Sequence, residues 1–287
     1  MEHSQDNQLD RDTLINLFAG QGIDLQVSIK ALMKHPASDY ERAARLLSFI
    51  GATGIGQKIL PYAPIDPVRR ILFFTKEPKI TQNLFALADM QMDNIYLNNA
   101  LPEPAAVEFL AHEVGHFASG KLIKDHLPSA PSAFNAASKF IEELWVRGVA
   151  ACCRYHHQQL HGSRDLGVQL APTAADYARQ QLVDFLQHGS WMSYVGEIVY
   201  ALPNSHKDYL SGALPRKMIQ SPSLTMARLE AIFTLPDGTM IADRAFAREL
   251  KRLIVSAFGV ERVRFPEPNR DKNLPSSWQK ALTPSHP

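Results

Sequence analysis

The segment Ala111-His112-Glu113-Val114-Gly115-His116-Phe117 has residue types that together could run a hydrolytic reaction. His112 and His116 are four positions apart, so on a helix their imidazoles leave one face a single turn apart and can hold one divalent ion, Zn2+ above all. Glu113, beside the first imidazole, is placed to take a proton from an attacking water. The neighbours Val107, Phe109, Leu110, Val114, Phe117 and Ala118 make this helix apolar on most sides, which predicts that it is buried. Gly115 lowers helix stability relative to alanine, which points to close approach of another backbone or of substrate.

Two histidines do not complete a catalytic site. A third protein ligand is needed, leaving a fourth position open to water. The nearest acids that a returning helix could bring back are Glu142 and Glu143. At about 100° per residue, Glu142 borders the bulky face of Phe134, Ile141, Trp145 and Cys152. Glu143 shares a face with Ala136, Val146 and Ala150, small enough to admit a second helix, and Lys139 and Arg147 lie one turn to either side. This favours Glu143 as the ligand, with Glu142 as the alternative.

The motif followed by Glu142-Glu143-Leu144 and Gly148 resembles the glutamate-type (gluzincin-like) HExxH zincins. It is similar to the Glu-Glu-Leu-x-x-x-Gly pattern of clostridial neurotoxin light chains. It also resembles metallopeptidase domains of bacterial, phage and plasmid-borne proteins, in which a strand like Ile95-Tyr96-Leu97-Asn98 precedes the motif. The resemblance spans roughly residues 68–155. It implies one Zn2+ per chain on His112, His116 and Glu143, with Glu113 as general base. The neurotoxins' Thr-Phe-Gly-Gly continuation is missing and the gap is shorter, so their substrate choice does not carry over.

The rest of the chain must position these residues. The spacing predicts an α+β fold: a mainly helical zincin-like domain with a small three- or four-stranded sheet beside the metal-binding helix. Helical spacing covers Asp12–Phe18 and Leu25–Lys34, stopped at Pro36, and then a stripe begins after Asp39. Residues 51–56, glycine-rich, have a helix before them and prolines after. That excludes a dinucleotide loop and predicts a helix end and a flexible turn. Strands are predicted at Val68–Thr75, Asn83–Ala88 and Asn94–Asn98, the last two as a hairpin across Asp89–Asp93. The last is taken as an edge strand that can pair with an extended peptide. The motif helix ends at Ser119-Gly120 and a long helix runs over Ser132–Gln159. Further helices are expected at Ala174–Gln187, Trp191–Leu202, Leu224–Phe233 and Arg244–Phe258. The segments divide as 1–60 (helical), 61–162 (metallopeptidase core), 163–265 (helical part of the same domain) and 266–287 (proline-rich tail).

Other residues compete for chemical roles. Tyr194, Tyr200, His206, Tyr209 and His157 are candidate donors to a tetrahedral oxyanion, and Glu197 could orient a ligand imidazole. His157 and His161 also have metal spacing, but no acid stands between them and Gly162 ends their helix. Cys152 and Cys153 are adjacent and read as small buried residues of a reducing compartment. With 287 residues, 45% apolar, 21% charged and a net charge of +1, the chain can bury a sizeable core and offers nucleic acid or an anionic membrane no electrostatic foothold. No apolar run is long enough to span a membrane, and residues 1–11 carry no Sec-type signal.

The expectation is a zinc metallopeptidase, most simply an endopeptidase, acting on a protein or peptide in the cytoplasm or after export by a specialised secretion system. A non-catalytic module of the same fold would be marked by loss of Glu113 or a ligand. A zinc amidase acting on cell-wall amides would be marked by an export signal or wall-binding repeats. The sequence leaves the oligomeric state open.

Overall fold

The computed structural model describes residues 33–76, 85–127, 136–162, 168, 170–187 and 219–258. Its elements in order are β1 (Met33–Ser38), α1 (Tyr40–Gly51), α2 (Gly54–Ile59), α3 (Pro67–Arg70), β2 (Ile71–Lys76), β3 (Ala86–Asp89), β4 (Asn94–Asn98), α4 (Glu103–Leu122), α5 (Ala136–His161), α6 (Ala174–Gln187), α7 (Met226–Ile232) and α8 (Arg244–Phe258). It is a mostly helical α+β fold with one four-stranded mixed sheet, ordered β1-β2-β4-β3. The predicted helix Trp191–Leu202, the residues before 33 and the tail lie outside the described residues.

The sheet differs from the expectation in three ways. Met33–Ser38 is a strand, so Met33 and Lys34 do not end a helix. Pro36 sits where the β1–β2 register shifts between Lys34 and Ala37, a bulge that accommodates a residue without an N–H. Val68 to Arg70 form a helical turn behind Pro67 rather than the start of β2. Third, β4 is not at the edge: it pairs in parallel with β2 and antiparallel with β3, and Ile95 and Leu97 are fully buried. Among the described residues the edge strands are β1 and β3. The β3–β4 hairpin is as expected, its turn held by the Asp89 carboxylate, which accepts from the Gln91 and Met92 N–H groups, and by Asp93 in the left-handed region.

β4 leads directly into α4 through a corner that Arg42 fixes. The Arg42 guanidinium donates to the Asn99 carbonyl at 2.9 Å and to the Leu101 carbonyl at 2.9 Å, and Arg45 holds Glu103 in the first turn of α4 at 3.0 Å. α4 has no side-chain N-cap, so these arginines and Pro104 define its start. It does not stop at Ser119-Gly120 but continues to Leu122, because Ala118 and Ser119 are buried and keep the turn packed. The Gly51–Gly56 segment is also tighter than a flexible turn. Thr53 caps α2, and a Cβ on Gly56 would come within 1.8 Å of the Ile50 carbonyl oxygen. Leu224–Phe233 divides into a 3-10 turn, Pro222–Leu224, and α7. α6 and α8 match their predicted spans.

α4 packs along α5, whose Phe140, Ile141, Leu144, Trp145 and Val149 are all fully buried. The approach is close at Gly115, where an added Cβ would lie 3.0 Å from Val146 Cγ1 and 3.2 Å from its Cβ. Val146 is β-branched and fully buried, so it has little room to yield. Gly120, on the same helix, would meet nothing within 4 Å. Gly115→Ala is therefore expected to destabilise the protein by about 1–3 kcal/mol through overpacking. Gly120→Ala should stabilise it by up to about 1 kcal/mol through helix propensity. Urea midpoints of the metal-free variants check both signs.

Candidate metal centre

α4 places His112 and His116 on the face that meets α5, and α5 places Glu143 opposite them. The three side chains converge. His112 Nε2 and His116 Nε2 are 3.2 Å apart, and Glu143 Oε2 lies 3.5 Å from the first and 3.4 Å from the second. A tetrahedral ion with bonds of about 2.0–2.1 Å keeps its ligand atoms about 3.4 Å apart. The triangle fits such an ion, and two imidazoles with one carboxylate are a donor set suited to zinc. These are the only residues among those described that form a cluster of three metal-ligating groups.

The two adjacent glutamates have separate places. Glu142 does not join the triangle; its Oε1 faces His116 Nδ1 at 3.4 Å, on the far side of the ring. The Ser119 hydroxyl donates to that oxygen at 2.6 Å, and Lys139 Nζ lies 2.8 Å from Oε2. A carboxylate behind an imidazole fixes the tautomer that leaves Nε2 free for a metal. Glu143 shows its second oxygen to Arg147, 2.7 Å from Nη2. The helical face analysis separated the two acids, but nothing in the sequence marked Ser119, whose role becomes visible only once α4 continues past it.

Glu113 points to the sheet side of the centre and is 7% exposed. Burial raises its carboxyl above the usual range, opposed by the nearby imidazoles and by a hydrogen bond from the Ala88 N–H of β3. A buried acid held above the usual carboxyl range suits a group that must both accept and return a proton. The ligand helices carry a different balance. Burial would lower His116, but hydrogen bonds to Glu142 and Glu143 overcome it and raise the ring to about 10. Burial would raise Glu142, but His116 and Lys139 bring it down to about 2. Glu143 goes the same way, held far below its ordinary value by His112 and Arg147 against the effect of burial.

β3 reaches the centre by the edge that faces away from β4. Asn98 N–H donates to the Phe85 carbonyl at 2.8 Å, so by antiparallel alternation Leu87 and Asp89 also face β4 while Ala86 and Ala88 face outward. Of the donors proposed from sequence, His157 is far from the centre. It packs on Phe49 and His161 with Glu103 Oε1 3.8 Å away, at the N-terminal end of α4. Tyr194, Tyr200, His206, Tyr209 and Glu197 lie outside the described residues. Cys152 and Cys153 are buried free thiols, both with raised pKa, Cys153 to about 12 through burial, so they are unreactive.

A metal entering this centre must displace the His116 proton. Below pH 10 the metal-free ring is protonated, so apparent zinc affinity should rise about tenfold per pH unit from pH 6 toward 9, with proton release seen by calorimetry in two buffers. Glu143→Ala should abolish stoichiometric zinc binding, whereas Glu142→Gln should weaken it by about 10–100-fold. Equal retention by both would overturn the assignment of Glu143. Compared with protein-family models, with curated proteins and with solved structures, the chain matches none.

Proposed function

We propose that this protein is a zinc-dependent metallopeptidase, an endopeptidase that cleaves peptide bonds of a protein substrate. The observation that carries the reading is the triangle of His112 Nε2, His116 Nε2 and Glu143 Oε2, with sides of 3.2–3.5 Å, set beside the buried Glu113. Zinc bound there would polarise the scissile carbonyl and make water at its open position a nucleophile near neutral pH.

The chain's own groups supply the remaining steps. Glu113 takes the proton of the attacking water and returns it to the leaving amine nitrogen, a transfer helped by its raised pKa. The Ala88 N–H orients the Glu113 carboxylate. Among the described residues nothing pairs with the outward edge of β3, and an extended peptide would add there, at Ala86 and at the Ala88 carbonyl. That role, expected for β4, passes to β3 because β4 is paired on both sides. A β-edge next to the centre favours a peptide substrate over a small non-peptide amide. Glu113, His112, His116 and Glu143 are all present, which favours turnover over a binding-only module.

Purified protein should hold about one zinc per chain. Glu113→Gln should keep the metal and lose about 10²–10⁴-fold in hydrolysis, read as cleavages in a cell lysate treated with wild type but absent with the variant. Loss of zinc in Glu113→Gln would assign Glu113 to holding the centre together; identical cleavage by both proteins would remove it from the chemistry.

A further inference from the structure

α4 and α5 lie side by side in opposite directions: Gly115 faces Val146, Glu108 pairs with Arg154, and Glu103 meets His157. The last of these meetings places imidazole and carboxylate together a second time, far from the centre. At 1.5 Å per residue, Glu103 is about 14 Å along α4 from His112.

His157 is only 2% exposed, and neither of its ring nitrogens has a hydrogen-bond partner. A buried imidazole left so is costly, and its lone pair is free for a ligand. Nε2 stands 3.8 Å from Glu103 Oε1, too far for a hydrogen bond and near the roughly 3.4 Å between two ligands of one tetrahedral ion. Arg45 takes the other oxygen, Oε2, at 3.0 Å, which leaves Oε1 to the ring.

His161 follows one turn later on α5. Its ring centroid is 4.8 Å from that of His157, against 4.9 Å for His112 and His116. Phe49 of α1 meets both rings edge-on, at 4.7 Å and 4.8 Å, and so steadies the pair. The acid missing between these two histidines in the sequence is thus supplied by another helix.

We propose that His157, His161 and Glu103 form a second cation site, for zinc or a similar divalent transition metal, which clamps the first turn of α4 to the last turn of α5. Two imidazoles and one carboxylate are a donor set suited to such an ion. The proposal does not rest on the metallopeptidase reading, because the two sites share no residue. The site is the weaker of the two. Its three groups are not drawn together as those of the centre are, so the exposed His161 must turn in as the ion binds. Glu103 must also share its carboxylate with Arg45. The purified chain therefore carries zinc at the centre, and the second site fills only as free zinc rises.

The test titrates the full-length protein, as purified, with zinc chloride in a calorimeter. One further zinc per chain should bind, more weakly than the first. His161→Ala, a change at an exposed residue, should remove that event. Glu103→Gln should weaken it by at least the roughly tenfold that losing a ligand's partner costs. Both variants should keep the first zinc. Glu143→Ala, which empties the centre, should keep the second event. Zinc at about a hundredfold excess over its Kd should then raise the Tm of Glu143→Ala by about 5 °C, and adding His161→Ala should abolish the rise. No second event in the wild type, or one that His161→Ala leaves unchanged, overturns the site. An event untouched by Glu103→Gln overturns the clamp between the helices. If the wild type shows only the event that His161→Ala removes, the centre's zinc is refuted and this site stands.

Discussion

Three carboxylates and two imidazoles meet where two buried helices cross, and the cost of keeping that charge out of water governs the surrounding structure. An isolated buried ion is expensive, and each one here is offset by a named neighbour. Lys139 and Ser119 serve Glu142, Arg147 serves Glu143, and the Ala88 amide serves Glu113. The imidazoles stand between the acids. The cluster is balanced enough to persist within an apolar bundle, yet its inner nitrogens and one oxygen remain turned toward a common point.

Helix spacing enforces this geometry. Gly115 lets Val146 approach to within van der Waals contact, and Val146 is one turn from Glu143, so the distance that sets the packing also sets the reach of Glu143 toward His112 and His116. The sheet does a second job. By sandwiching β4 between β2 and β3, it directs the chain into α4 at a fixed angle, with Arg42 and Arg45 closing the corner. The same order leaves β3 at the rim, where its amide can address Glu113.

Much of the centre was legible in the sequence because its signals are local. His112, Glu113 and His116 follow from spacing on one helix, and Glu143 from the small residues that share its face. The helices α6 and α8 were legible from periodicity between proline and glycine breakers. What could not be read depended on partners distant in the chain. Met33–Ser38 becomes a strand only because β2 offers it a ladder, and its proline reads locally as a helix stop. β4 looked like an edge because nothing in Asn94–Asn98 reports that Ile71–Phe74 will lie beside it. Val68-Arg69-Arg70 has strand-like composition, but Pro67 starts a turn first. His157 and His161 sit on a helix whose pattern gives its core face, not which neighbour that face meets.

The proposed ligands come from only two helices, consecutive in the chain, and His116 and Glu143 are separated by 26 intervening residues. Any ion bridging them acts as a clasp on that length of polypeptide, closing a loop that the unfolded chain would otherwise leave free. Metal occupancy would thereby be coupled to the folding equilibrium. A molecule of this design would resist unfolding most strongly wherever the cation is plentiful, and its persistence would follow metal supply.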